Sequence, residues 1–306
     1  MHRFKNILCV VNPDEQASAV VRRASELATL HGTQLTIVHV VPNVPPDAAN
    51  SGPLADDEGG VPLAKRDTGE RRLPDKNGTV GDLVSQTLYG NPSEAIIKQV
   101  LRGNHDLLIK PVEGPRIRGA RPSSIDKFLL RQCPCPVWLF NPARRDKHER
   151  VLAALDSDLD GANAELNDLV LDFSTSLSAE DQIEVDAVSS WGVHGEDAMR
   201  SRVGILAIRR LAAGVRRANM QWLRRLTGPY ARRSAKFHVH LKKGKRDAAI
   251  LNEAKKRRHD LIVMGTTGRV GVAEFLFGTL AERILSQVDC SVLAVKPKGF
   301  VSAVDA

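Results

Sequence analysis

Short apolar runs alternate along the chain with longer stretches whose apolar residues recur at helical spacing. That alternation predicts parallel strands joined by crossover helices. In the amino-terminal half the expected strands are 7–11, 35–41, 83–89, 107–110 and 137–140. In the carboxyl-terminal half they are 151–155, 183–188, 237–241, 261–264 and 292–295. Five strands of this kind make a doubly wound sheet, whose ligands bind beyond the carboxyl ends of the strands near the switch point. Asp156 and Gly265 both fall at such ends.

The two halves are copies of one another. "KNILCVVNP" from Lys5 resembles "ERVLAALDS" from Glu149, with Asn12 opposite Asp156. "YGNPSEAIIKQVLRGNHDLLIKP" from Tyr89 matches "KGKRDAAILNEAKKRRHDLIVMG" from Lys243, which sets Gly90 opposite Gly244 and His105 opposite His259. "LLRQCPCPVWLFNP" from Leu129 lies opposite "ILSQVDCSVLAVKP" from Ile284. Three blocks in one order imply two tandem domains, 1–143 and 148–300, joined by the polar stretch "PARRDKH". Such copies are expected to pair through their edges as an internal pseudo-dimer, and a further homodimer is compatible with the sequence.

The copies differ most between their second and third strands. Residues 42–80 of the first are rich in Pro, Gly and Asp and are expected to form a long loop. The second copy has instead a stretch in which Ile205, Ile208, Leu211, Val215, Ala218, Trp222 and Leu226 recur at helical spacing. This predicts one long amphipathic helix with arginines on its other face.

Charge is distributed in blocks. The net charge is +8, yet residues 146–197 hold 14 acidic residues against Lys147 and Arg150, while 200–258 hold 19 basic residues against Asp247 and Glu253. The blocks either form an interaction surface or neutralise one another within the fold. No apolar run approaches the roughly 20 residues needed to cross a bilayer, and the amino-terminal stretch lacks a signal-peptide pattern, so the expected location is cytoplasmic. Cys133 and Cys135 flank Pro134 without metal-site spacing, so the four cysteines are read as reduced structural thiols, with a redox-responsive pair as the lesser reading.

The chemistry concentrates in "VMGTTGRVGVAEFLFGT". Gly265, Gly268 and Gly278 follow a predicted strand, and Thr279 opens a predicted helix. Glycines here either punctuate a turn or let phosphates approach backbone N–H groups, and the two readings are evenly matched on spacing alone. The pattern is neither a P-loop nor a dinucleotide fingerprint. His105 and His259, each just before a strand, suggest a repeated structural turn rather than metal ligation. No catalytic grouping of carboxylates, Ser-His-Asp or Cys and His emerges, so no catalytic residue is assigned.

Taken together, the repeat, the glycine stretch and the terminal "CSVLAVKP" resemble the universal stress protein family in its tandem-domain form. The resemblance covers nearly the whole chain apart from 42–80 and the long basic helix. It implies two five-stranded domains of adenine nucleotide alpha hydrolase-like, Rossmann-like fold with strand order 3-2-1-4-5. It also implies a stress-response regulator that binds ATP or a related adenine nucleotide, with or without magnesium, in the second copy. On this resemblance Asp156 contacts the nucleoside, the strand end near Val188 lies against adenine, and Gly265, Thr266, Thr267, Gly268, Arg269, Gly278, Thr279 and Leu280 hold ribose and phosphates. Any hydrolysis is expected to be slow and regulatory.

The first copy departs from the pattern. Asn12 replaces the aspartate, Pro111 stands opposite Gly265, and Ser123-Ser124 opposite Gly278-Thr279, which leaves only Gly114 in register. Proline removes a backbone donor, so the first copy is expected to be a structural partner, although Lys110, Arg116, Arg118 and Arg121 supply positive charge nearby. Two other classes of function compete with nucleotide binding. One is a purely structural, dimerising module. The other, less favoured for want of interleaved aromatics, is nucleic-acid or polyanion binding through Arg209, Arg210, Arg216, Arg217, Arg224, Arg225 and the run 255–258.

Overall fold

The computed structural model describes residues 4–11, 17–42, 71–72, 83–112, 122–142, 150–157, 163–177, 183–234, 236–266 and 279–305. The first copy runs β1 (Asn6–Val11), α1 (Ala17–His31), β2 (Gln34–Val41), the two-residue β3 (Arg71–Arg72), β4 (Leu83–Tyr89), α2 (Pro92–Arg102), β5 (Leu107–Pro111), α3 (Ser124–Gln132) and β6 (Val137–Phe140). The second runs β7 (Arg150–Ala154), α4 (Ala164–Ser176), β8 (Glu184–Trp191), α5 (Glu196–Val203), α6 (Ile205–Ala231), β9 (Lys236–Lys243), α7 (Arg246–Arg257), β10 (Leu261–Gly265), α8 (Thr279–Leu285) and β11 (Ser291–Val295). All ten expected strands form, within one to three residues at each end. The expected loop at 42–80 lies outside the described residues apart from β3.

These strands make one 11-stranded sheet in the order β3-β4-β2-β1-β5-β6-β11-β10-β7-β8-β9. Each half is parallel and has the expected 3-2-1-4-5 order; β3 adds antiparallel to β4 at the outer edge. The halves meet where β6 and β11 pair antiparallel, Trp138 opposite Leu293. Both faces of the inner strands are buried, which is why they read as continuous apolar runs. One apolar layer joins Leu8, Leu108, Leu139, Leu152 and Val292 to α2, α3, α7 and α8; the other joins Ile7, Ile109, Trp138, Val151 and Leu293 to α1, α4 and α6. Each layer runs through both copies.

Polar groups seal the junction. Asn141, just past β6, donates from Nδ2 to the Asp289 carbonyl at 2.6 Å, and its backbone N–H donates to Ser291 Oγ at 3.0 Å. Lys296 occupies the equivalent place past β11 and donates back to the Leu130 and Arg131 carbonyls at the end of α3. Burial pushes the Lys296 ammonium down to about 8 despite the nearby Cys133 and Cys135 thiols. All four cysteines are buried and free, and burial pushes the Cys9 thiol up to about 12.

The long helix expected over Ile205 to Leu226 forms as α6, while the stretch from Glu196 before it is a separate helix, α5, because Gly204 between them adopts φ +82°. The buried line of α6 also differs from the expected stripe. Ile208, Asn219, Leu223 and Thr227 face the sheet, whereas Ile205 and Leu211 are exposed.

Repeated sequence features become repeated geometry. Gly90 and Gly244 both take positive φ, and their N–H groups bond the carbonyls closing β2 and β8. Asn104 and Arg258 are left-handed at the ends of α2 and α7, and the next residues, His105 and His259, return N–H bonds to Val100 and Ala254. Asp106 accepts from the backbone N–H of Lys5 and Asn6, and Asp260 from that of Arg150, which fixes the start of β1 and β7. The two imidazoles then diverge. His259 Nε2 lies 2.8 Å from Asp186, a wholly buried carboxylate that also meets His240 and Arg257 at 2.6 Å. Burial alone would raise the Asp186 carboxyl, but the bonds from His240, His259 and Arg257 hold it well below the usual carboxylate range.

The first copy has Thr36 where the second has Asp186, and neither ring nitrogen of buried His105 finds a hydrogen-bonding partner. Burial pushes His105 down to about 4, offset only in part by the Asn6 backbone and Asp106. The unfolded chain protonates this ring near pH 6.5, so the unfolded state binds the extra proton first. Stability contributed by neutral His105 is present above about pH 6.5 and is lost as pH falls toward 4, by up to roughly 3 kcal/mol. Urea unfolding across that interval should show a steeper loss in the wild type than in His105→Gln; parallel profiles would exclude this account.

Candidate functional site

The order of the second half reverses between β7 and β10, and the carboxyl ends of these strands and of β8 lie side by side. Ala154 pairs with both Met264 and Val188, so Asp156, Thr266 and Ser189 fall at one edge of the sheet. The Asp156 backbone is held by one side chain. Asn167, buried on α4, accepts from Asp156 N–H at 2.8 Å and donates to its carbonyl at 3.0 Å. The carboxylate therefore projects from a fixed peptide. Its Oδ2 meets Arg246, the first residue of α7, at 2.9 Å, and Asn163 donates to the same oxygen at 3.4 Å. Ser157 donates to Asn219 at 2.6 Å and so ties α6 over this edge.

Two buried polar groups near this end of the sheet have unmet bonding capacity. Arg246 Nε, in the guanidinium paired with Asp156, and Ser189 Oγ, on the other face of β8, have no hydrogen-bond partner. Burial depresses the Arg246 guanidinium, while Asp156 opposes that shift. Neither Arg246 nor Asn167 is evident from sequence motifs. Arg246 had a signal in the repeat, because it stands where the first copy has Pro92; Asn167 had none.

The remaining expected site residues are placed as follows. Gly265 ends β10 without positive φ, so it is not a turn glycine; a Cβ there would lie 2.5 Å from the Leu166 side chain of α4. Thr266 donates N–H and hydroxyl to the Val295 carbonyl at 3.0 and 3.1 Å. Val188 is buried in the apolar layer, and its carbonyl accepts from Leu155 at 2.9 Å. Leu280 packs partly buried against the same layer. Thr267, Gly268, Arg269 and Gly278 lie outside the described residues, and Thr279 is described only as the start of α8.

At the corresponding edge of the first copy, Val112 N–H repeats the Thr266 bond by donating to Phe140 at 2.9 Å. Lys110 does not supply free charge there. Its ammonium is buried against Asp126 at 3.1 Å and also donates to the Pro111 carbonyl. Asp126 in turn forms a capping box with Ser123, so the serine opposite Gly278 is engaged in starting α3. Asn12, Gly114, Arg116, Arg118 and Arg121 lie outside the described residues.

Comparison with known proteins bears on the whole chain. The family model described as "Universal stress protein family" matches residues 3–141 and again 148–296. A universal stress protein E from Photorhabdus laumondii is 23% identical, the alignment covering 98% of this chain and 97% of that protein. A homologue of the same description from Haemophilus influenzae is 25% identical over 96% and 98%. Among solved structures, a putative universal stress protein from Pseudomonas aeruginosa superposes with a TM-score of 0.69 at 20% identity, covering 96% of this chain and 94% of that one.

The contact between Gly265 and Leu166 gives a direct test. Gly265→Ala should cost about 1–3 kcal/mol by overpacking, read as a lowered urea midpoint. In a Leu166→Ala background the same change should cost clearly less; an equal cost in both backgrounds would place the constraint elsewhere.

Proposed function

Since the chain belongs to the universal stress protein family, we propose that it is a stress-linked regulator whose second copy binds ATP or a related adenine nucleotide, with magnesium accompanying the phosphates. The observation that carries this reading is the Asp156–Arg246 pair at the switch point of the second half, where open α/β sheets bind ligands. A carboxylate at this place accepts hydrogen bonds from a nucleoside. The unmet Arg246 Nε donor suits an anionic, hydrogen-bonding ligand. In this proposal the segment from Gly265 through Thr267, Gly268 and Arg269 to Gly278, Thr279 and Leu280 cradles the ribose and phosphates. The base lies toward the strand end at Val188. The described edge contains no candidate general base positioned on a nucleophile, which supports a binding role over rapid turnover. The first copy, with Lys110 and Asp126 neutralising each other, acts as the structural partner.

A second reading has its own observation. Gly265 is accounted for by Leu166, and Asp156 by Arg246, without any ligand. On that reading both copies are structural and the chain works through association.

Calorimetric titration of ligand-stripped protein with ATP and magnesium separates the two. Saturable binding is expected in the wild type and in Lys110→Met, with loss in Gly268→Asp. Absence of binding by a folded, stripped wild type would leave the structural reading standing.

A further inference from the structure

The acidic and basic blocks of the second half do neutralise one another, but only in part. Glu184 pairs with Arg150 and Arg257, Asp172 with Arg233, Glu196 with Lys243, and Glu253 with Lys242. Asp247 and Asp156 are taken by Arg283 and Arg246. None of these carboxylates reaches α6. Arg209, Arg210, Arg216, Arg217, Arg224 and Arg225 are all exposed, and among the described residues none forms an ion pair with an acidic group. Helix α6 itself contains no acidic residue. A row of like charges left uncompensated on a folded helix repels itself and attracts a polyanion.

The row has regular spacing. Arg210, Arg217 and Arg224 recur every seven residues, close to two helical turns, so they line one ridge. From the first arginine pair to the last the ridge runs about 22 Å at 1.5 Å per residue. Between the first two pairs the surface is low. Ala213 and Gly214 are exposed, and a Cβ at Gly214 would meet nothing within 4 Å. The opposite face is fixed to the sheet through Ile208, Leu223 and Thr227, so the ridge is presented rigidly.

The same placement selects the kind of polyanion. A helix that beds into a lipid surface needs its apolar face free, yet Ile208, Leu223 and Thr227 of α6 are spent on the sheet, and its exposed large apolar residues, Ile205, Leu206 and Leu211, are confined to its first two turns, away from most of the arginines. Binding to single strands depends on exposed aromatic rings, yet Trp222 and Tyr230 pack against the sheet-side layer. What remains is guanidinium forks spaced along a straight ridge, which suit phosphates held at fixed spacing. We propose that the outward face of α6 binds the phosphodiester backbone of a nucleic-acid duplex without regard to base sequence. This site is separate from the nucleotide edge and does not depend on it.

The test is fluorescence anisotropy of the full chain with two labelled 20-base-pair DNA duplexes of unrelated sequence, at 50 to 200 mM salt. Both duplexes should bind alike, with log affinity falling against log salt at a slope of about −4 to −5 if most of the six arginines engage. Replacing Arg216, Arg217, Arg224 and Arg225 together by Gln should weaken binding at least about tenfold at 100 mM salt and flatten the slope by 3 to 4. The pair Arg216→Gln/Arg217→Gln should fall between, which keeps the test valid should the fourfold variant fold poorly. Lys255→Gln/Lys256→Gln on α7, a charge control, and Leu206→Ser/Leu211→Ser should change affinity little. The proposal is overturned by a wild type that does not bind duplex at 50 mM salt, or by equal losses in the α6 and α7 variants. It is also overturned by tighter capture on phosphatidylserine vesicles that the leucine variant abolishes.

Discussion

The antiparallel pairing of β6 with β11 is the contact on which the rest of the molecule depends. Without it each half would end in an apolar edge strand with unpaired backbone groups, an invitation to associate with any other open sheet. With it, both apolar layers become continuous across the chain. Trp138 and Leu293 share a register pair and a layer, and Asn141 and Lys296 reach across in opposite directions to carbonyls of the other half. The junction is therefore as much a core as an interface. Because the partners are covalently tethered, its formation does not depend on protein concentration.

Intramolecular pairing also explains how unlike the halves have become. Two identical chains meeting about a twofold axis must carry the same residues on both sides. Tandem copies are free of that restriction. One edge holds a fixed, partly buried carboxylate beside an arginine, and the other holds a wholly buried Lys110–Asp126 pair. One buried imidazole has a carboxylate partner, and the other has none. What both halves keep is the geometry that builds the sheet: the positive-φ glycines before α2 and α7, the left-handed residues after them, and the aspartates that pin the first strands.

Much of this was legible in the sequence because parallel strands buried on both faces leave unbroken apolar runs, and because a repeat read twice is hard to misalign. The errors cluster where one contact line decides the outcome. The buried line of α6 includes Asn219 and Thr227, polar residues that satisfy themselves against Val215 and Leu223 carbonyls, so apolar periodicity alone misplaced the face. Gly204 carries no local signal that its backbone turns and separates α5 from α6. Gly265 reads from its spacing as turn punctuation or room for phosphate, and the structure adds a packing constraint that no local pattern carries: the place of its Cβ is filled by Leu166, from a helix that begins about a hundred residues earlier in the chain. Asn167 carried no sequence signal for the same reason, since its meaning lies in the distant Asp156 backbone, and Arg246 carried only its departure from Pro92 of the first copy.

The Arg246–Asp156 pair has a consequence for selectivity. Any ligand that takes the carboxylate loosens the counter-charge of a guanidinium that burial already disfavours. Such a vacancy is tolerated only by an occupant that brings its own negative charge, because stripping one partner from a desolvated ion pair is costly. On the proposed nucleotide reading, a guest that displaces Arg246 from the carboxylate is favoured when its own phosphate takes over the guanidinium. If that reading holds, the ion pair is a charge filter that favours guests by what they carry beyond the ring.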